Sequence, residues 1–329
     1  MSVPIKITAI VCTYNRSQQL AATIESLVAQ SLPGSLPWEI LVVDNNSRDE
    51  TRQVVERLQS KYPERIRYLI ESQQGVSCAR NTGIRESRGE ILAFIDDDET
   101  ADKAWLQNLT ANLLSGEWAG AGGRVLPLWS VPCPQWLSPH SPLISGPLAS
   151  FDPSQGPGRL TEPPFGANMA FRKEVFDKYG TFRTDLGRAG TSMISNEDTE
   201  FGRRLFAAGE PLRYERSAIT FHPVEEARLR QEYFLKWWFN KGRSDIRETR
   251  AKHSGKRLLG VPLRLFGSVA AQLARWMVST EGSQRFNHKV DLWNSTGQVL
   301  EFSLLWRAAK NGKGLKGNTD LRRREKGDR

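Results

Sequence analysis

Hydrophobic and polar positions follow two alternating rhythms through the first hundred or so residues. Ile5–Cys12 is a β-branched, apolar run that stops at Thr13-Tyr14-Asn15-Arg16. Ser17–Gln30 then sets Leu20, Ile24, Leu27 and Val28 at helical spacing. Trp38–Val43 is a second apolar run, ended by Asp44-Asn45-Asn46-Ser47, and Arg48–Tyr62 is helical again. Ile66–Ile70 is a third strand, Gly75–Glu86 a loop entering a helix, and Ile91–Ile95 a fourth strand ended by Asp96-Asp97-Asp98. Strands separated by helix-length segments predict an α/β fold with a mostly parallel central sheet flanked by helices. In such sheets ligands bind outside the carboxyl ends of the strands. The polar segments Thr13–Arg16, Asp44–Ser47 and Asp96–Asp98 all fall there and should converge on one cleft.

The rhythm breaks at 127–164, which carries 10 of the chain's 17 prolines together with Trp129 and Trp136. A segment this long is expected to be functional or disordered; the tryptophans favour an ordered lid, with core packing beneath it as their default role and stacking on an acceptor sugar or lipid as the alternative. Structure resumes at Gly166–Phe171, with a helix near Thr199–Ala208 stopped by Gly209 and a strand near Ala218–Phe221. A first domain is thus expected over 1–223 and a helical C-terminal extension over 224–329. In the latter, Tyr233–Lys241 is dense in aromatics, and Leu258–Ser279 can be helical from about Pro262. At 100° per residue, Leu265, Phe266, Val269, Leu273, Trp276 and Met277 share one arc of that helix, and Arg264, Ser268, Gln272 and Arg275 another. Two readings remain: a helix lying on an anionic membrane surface, or one packing its stripe on the protein.

Charge sharpens this division. The 329 residues carry a formal net charge of +9. Residues 1–223 hold 23 Lys+Arg against 26 Asp+Glu, a net −3, and residues 224–329 hold 23 against 11, a net +12. The basicity avoids the motif-bearing region and no recognition module is visible, so no nucleic-acid partner is expected. Three scattered cysteines, Cys12, Cys78 and Cys133, form neither a disulfide framework nor a metal spacing and suit a reducing compartment. Ile5–Val11 is too short and interrupted to read as a leader, and no run of 18 apolar residues is present. A cytoplasmic protein, peripheral on the cytoplasmic membrane face, is the resulting expectation.

The chemistry concentrates at the strand ends. Asp96-Asp97-Asp98 puts three carboxylates side by side, where they repel. Mg²⁺ or Mn²⁺ would relieve that, and so would a solvated turn that caps the next helix. Asp44 could accept hydrogen bonds from a nucleoside, or begin an Asx turn. Arg80, among small residues near a helix start, suits a diphosphate or a plain surface position. Gly166-Ala167-Asn168 permits close backbone approach to a ligand, or a tight turn. Ser195-Asn196-Glu197-Asp198 offers carboxylates for acid–base work, or a well-capped helix start.

Taken in order, Thr13-Tyr14-Asn15-Arg16, Val43-Asp44-Asn45-Asn46-Ser47, Ala79-Arg80-Asn81-Thr82-Gly83, Phe94-Ile95-Asp96-Asp97-Asp98, Gly166–Arg172 and Asn196-Glu197-Asp198 resemble the family 2 glycosyltransferases over roughly residues 5–223. The resemblance implies the GT-A nucleotide-sugar fold and single-displacement, inverting sugar transfer. It implies a donor such as a UDP-, GDP- or dTDP-sugar, a glycan or lipid-linked acceptor, and Mn²⁺ or Mg²⁺. Thr13, Asn15, Arg16, Asp44, Asn46, Arg80, Asp96 and Asp97 would line the donor. Asp98, with Asp96 and a late histidine, His222, would hold the metal. Asp198 would be the catalytic base, with Glu197 beside it, and Gly166, Ala167, Asn168 and Glu197 would face the acceptor. A dinucleotide-binding oxidoreductase lacks its glycine signature after the first strand, and a sugar-nucleotide-forming nucleotidyltransferase lacks the expected glycine- and lysine-rich loop.

Overall fold

The computed structural model describes residues 4–311 except 35, 139, 154–155 and 250–255. The charge-biased tail at 321–329 lies outside the described residues. Two compact units form: residues 1–132, 142–182 and 198–226 make the first, and residues 133–141, 183–197 and 227–329 the second.

The first unit is built on the predicted strand–helix rhythm: β1 (Ile7–Thr13), α1 (Ser17–Val28), β2 (Trp38–Asp44), α2 (Thr51–Lys61), β3 (Ile66–Ile70), α3 (Val76–Glu86) and β4 (Ile91–Asp96). Then come β5 (Thr100–Ala101), α4 (Trp105–Leu114), β6 (Gly120–Trp129), β7 (Gly158–Arg159), β8 (Asn168–Arg172), α5 (Lys173–Tyr179), α6 (Glu197–Ala207) and β9 (Leu212–Val224). The sheet order is β3-β2-β1-β4-β8-β6-β9-β5, with β7 on β9. Pairing is parallel from β3 through β4, and β8 then enters antiparallel to both β4 and β6. Every residue of β2 is buried, as expected of a strand covered on both faces. Ile7, Ala9, Val11, Ile40 and Val42 pack under α1, α2 and α4. Ile10, Leu41, Val43 and Phe94 face the other side, toward Phe171, Phe176 and Phe201.

The proline-rich segment is less free than a lid. Its start is β6, and Phe151 exchanges both backbone hydrogen bonds with Val125 at 2.9 Å. Asp152 accepts from Tyr214 at 3.0 Å and pairs with Arg124 at 3.1 Å, so this stretch is laid along β6 and β9. Trp136, half-buried, belongs to the second unit and packs edge-on against Phe234 and Phe286.

Asn168 fastens the sheet where its direction reverses. It pairs with Ile95 in the ladder and is fully buried. Its amide donates to the carbonyls of Arg124 and Ala218 at 2.8 and 2.9 Å and accepts from the Trp105 indole at 2.9 Å.

In the second unit, α7 (Gln231–Glu248), a β10 (Arg257–Leu258) and β11 (Val261–Pro262) hairpin, α8 (Leu263–Val278) and α9 (Gly282–Lys310) follow one another. Helices α7 and α9 meet backbone to backbone. A Cβ on Gly242 would stand 2.0 Å from the Asn294 carbonyl oxygen, and one on Gly297 2.0 Å from that of Phe239. Glu301, buried in this contact, is held by Arg243 at 3.0 Å and Arg247 at 2.8 Å.

Replacing Asn168 with Ala removes three buried hydrogen bonds. Asn168→Ala is expected to lower unfolding stability by about 2–4 kcal/mol, read as a shift of the urea midpoint. An unshifted midpoint would contradict the structural role.

Candidate functional site

The carboxyl ends of β1, β2 and β4 converge as the pattern predicts. Thr13 lies opposite Asp44, and Cys12 opposite Asp96. Asn15 and Asn46 take left-handed φ values of 51° and 67°, which asparagine tolerates better than most residues. This lets the two loops interlock. The Asn15 amide nitrogen donates to Ser47 Oγ at 2.9 Å, and Asn15 Oδ1 accepts from the Arg48 nitrogen at 2.7 Å. Asn46 itself is exposed.

Asp44 is buried and both its oxygens are engaged. One accepts from the Ser47 nitrogen at 2.8 Å and the other from the Tyr68 hydroxyl at 2.6 Å. Burial and the Asp44 carboxylate raise the Tyr68 phenol well above its usual range, so it stays a donor. The Asx turn and the buried carboxylate are therefore the same feature.

The acid cluster at the end of β4 is divided among cations. Arg16 pairs with Asp98, and more loosely with Asp97 at 3.5 Å. Burial, and next the Asp98 charge, push the Asp97 carboxyl up to about 7, while Arg16 and the Thr13 hydroxyl pull it back. Arg80, buried on α3, donates to Asp96 at 3.2 Å and to the Gly166 carbonyl at 3.2 Å. Its guanidinium lies 5.8 Å over the Phe182 ring.

His222 arrives from the far end of the sheet. The antiparallel register Thr100 to Phe221 brings it beside the turn after Asp98, and its Nε2 lies 3.5 Å from Asp98 Oδ2. A carboxylate and an imidazole, both largely buried, suit a divalent cation that takes its remaining ligands from phosphate oxygens and water. Among the described residues no three His, Cys, Asp or Glu side chains are grouped for a standing metal cage. Asp98 and His222 could thus supply only part of a cation's ligand set. Asp96, expected beside Asp98 on the metal, pairs with Arg80 at 3.2 Å, and Asp98 Oδ2, the oxygen nearest His222, pairs with Arg16, so a cation bound there would displace an arginine contact.

Gly166 joins the base candidate to the cation. Its nitrogen donates to Asp198 Oδ2 at 2.7 Å while its carbonyl accepts from Arg80. The second Asp198 oxygen accepts from the Thr199 nitrogen at 2.6 Å. Ala167 is buried beside this link, and Glu197 is the buried first residue of α6. Asn168 departs from expectation, because its amide is consumed inside the sheet and not presented to an acceptor.

Three participants were not anticipated. Asn45 holds the loop before α3, donating to the Glu71 and Gln73 carbonyls at 3.1 and 2.8 Å and accepting from the Gly75 nitrogen at 2.7 Å. Tyr68 and Phe182 are the others. The Asp-Asn-Asn run was the only signal for Asn45, and it does not say which asparagine turns inward.

The family model described as Glycosyl transferase family 2 matches residues 8–180. The succinoglycan biosynthesis protein ExoM of Rhizobium meliloti is 30% identical over 248 residues, covering 75% of this chain and 76% of the relative. The glucosyl-dolichyl phosphate glucuronosyltransferase of Haloferax volcanii is 26% identical over 243 residues, covering 71% and 74%. Among solved structures, the mannosyltransferase PcManGT from Pyrobaculum calidifontis, in complex with GDP-Man and Mn²⁺, aligns with a TM-score of 0.56 at 18% identity over 95% of this chain and 77% of that one. S. aureus TarS 1-349 aligns at 0.51 and 15% identity over 94% and 92%. At these identities the structural likeness speaks for the fold alone, which is GT-A. With the family match and the relatives in agreement, this chain belongs to glycosyl transferase family 2 and is a glycosyltransferase.

Proposed function

We propose that this enzyme is a metal-dependent, inverting glycosyltransferase. It moves a sugar from a UDP-, GDP- or dTDP-sugar to a glycan or lipid-linked acceptor in polysaccharide or glycoconjugate synthesis. The observation that carries this reading is the Gly166 peptide, which binds Asp198 through its nitrogen and Arg80 through its oxygen. The base and the cation meant for the diphosphate are thereby spaced by one rigid peptide unit.

Each residue has a task in that reaction. Thr13, Asn15 and Asp44 border the nucleoside, with Asp44 oriented by Tyr68. Arg80 faces the diphosphate and offers two planar N–H donors. Asp198 takes the proton from the acceptor hydroxyl as its oxygen bonds to the anomeric carbon and the bond to the diphosphate breaks on the opposite face. A single displacement of this kind inverts the anomeric centre. Asp98 and His222 would hold Mn²⁺ or Mg²⁺, which when bound neutralises charge on the leaving diphosphate. Binding both partners in line supplies the rest of the rate.

The reading is tested with a panel of nucleotide sugars, assayed for transfer and slow hydrolysis with and without Mn²⁺. Turnover of one donor that depends on the cation is expected. No turnover of any donor in either condition would contradict it. Asp198→Asn should reduce transfer about 10²–10⁴-fold while donor affinity stays unchanged. Near-normal transfer by Asp198→Asn, with activity abolished in Glu197→Gln, would move the base to Glu197.

Gly166→Ala probes the spacing. Its Cβ would stand 2.8 Å from Asp198 Oδ2 and 2.9 Å from Arg80 Nη2, so one of them must shift. A displacement of this size is expected to lower kcat about 10–100-fold with an unchanged circular dichroism spectrum. Wild-type kcat would show that the spacing does not matter.

A further inference from the structure

We infer that the outward face of α8 docks on an anionic lipid bilayer. The inference takes from the proposed function only the reason a transferase would sit there. The helix packs on α9 through a narrow strip: Leu265 is buried, and Ser268 Oγ lies 3.4 Å from Ser295 Oγ. This divides the apolar arc expected from the sequence. Leu265 turns inward with Trp276 half-buried, whereas Phe266, Leu273 and Met277 turn out.

At 100° per residue, the exposed sector running from Leu273 round to Val278 spans roughly 140° and contains no charged or polar side chain. Leu263, Phe266, Leu273, Met277 and Val278 are 47, 38, 39, 62 and 77% exposed, and the rest of the sector is alanine or glycine. A Cβ on Gly267 would meet nothing within 4 Å, so the face is open. The solvent side of a surface helix is ordinarily polar. Leu258 and Leu259 in the preceding hairpin add exposures of 55 and 62%.

Charge selects the occupant. Residues 256–290 hold six Lys+Arg and one Asp+Glu. Arg264 and Arg275 lie together between the strip that packs on α9 and the apolar sector, and the Arg285 and Lys289 cations lie 5.7 and 6.0 Å from the Trp276 ring at its other edge. An apolar face edged by basic residues and aromatic rings matches lipid tails beneath anionic head groups. A second copy of this chain, paired symmetrically, would set the same excess of positive charge against itself. The helix has 16 residues, about 24 Å, which is shorter than a spanning helix needs, so it lies in the interface plane.

The test is co-sedimentation of the full chain with phosphatidylcholine vesicles, alone or with 30% phosphatidylglycerol. Binding to the anionic vesicles that weakens with salt is expected. Phe266→Asp with Met277→Asp should weaken it at least about tenfold. Arg264→Gln with Arg275→Gln should weaken it roughly fivefold per residue on anionic vesicles alone. If the aspartates perturb folding, Met277→Ser reads the same face. Donor hydrolysis without acceptor should be unaltered in all of them, so failure of catalysis and failure of docking are read separately. Absence of wild-type binding, or equal sedimentation of wild type and variants, would overturn the inference. So would a sedimentation-velocity dimer dissolved by the aspartates.

Discussion

The structure depends on how the carboxylates at the end of β4 are kept together. Asp96, Asp97 and Asp98 follow one another at a strand end, and Asp97 and Asp98 are nearly buried. Adjacent buried charges of like sign oppose folding unless cations or protons answer them. Arg16 answers Asp97 and Asp98, Arg80 answers Asp96, and burial raises the Asp97 carboxyl above its usual range. Each cation comes from a different element: Arg16 from the turn after β1, Arg80 from α3. The acid cluster therefore draws the loops around it into one place, with its charges already arranged.

The sheet's mixed topology serves the same end. Four parallel strands would leave their carboxyl ends open to solvent on one side. β8 and β9 add side chains and a turn to those ends. β8 brings Gly166, which links Arg80 to Asp198, and β9 brings His222 to Asp98. Asn168 fixes the junction by satisfying two carbonyls and an indole inside the sheet. A residue that looks like ligand chemistry in the sequence is thus part of what holds the ligand chemistry in position.

The parallel half of the fold was legible because period-two and period-3.6 patterns alternate cleanly there. β1 to β4 fall where the pattern puts them, and Thr13, Asp44 and Asp96 meet as expected. The antiparallel half was not legible in that way. The two-residue β5 has no pattern of its own, yet its pairing with β9 decides where His222 sits. Asn168 sits among small residues, which suggested a ligand-facing turn, and only its pairing with Ile95 places it inside. α9 escaped notice for a different reason. Its 29 residues pack on α7 and on α8, so its buried positions form no single stripe. In α8 the stripe was visible, but not that only part of it is buried.

The account's central claim is that the strand-end carboxylates form a donor site completed by a cation brought in with a diphosphate. Electron paramagnetic resonance of Mn²⁺ titrated into the full chain, with and without UDP, GDP or dTDP, tests it most directly. The account predicts that Mn²⁺ is captured when one of these diphosphates is present, and that Asp98→Ala loses this capture. Equal capture by wild type and Asp98→Ala, or no capture with any of the three, would contradict it.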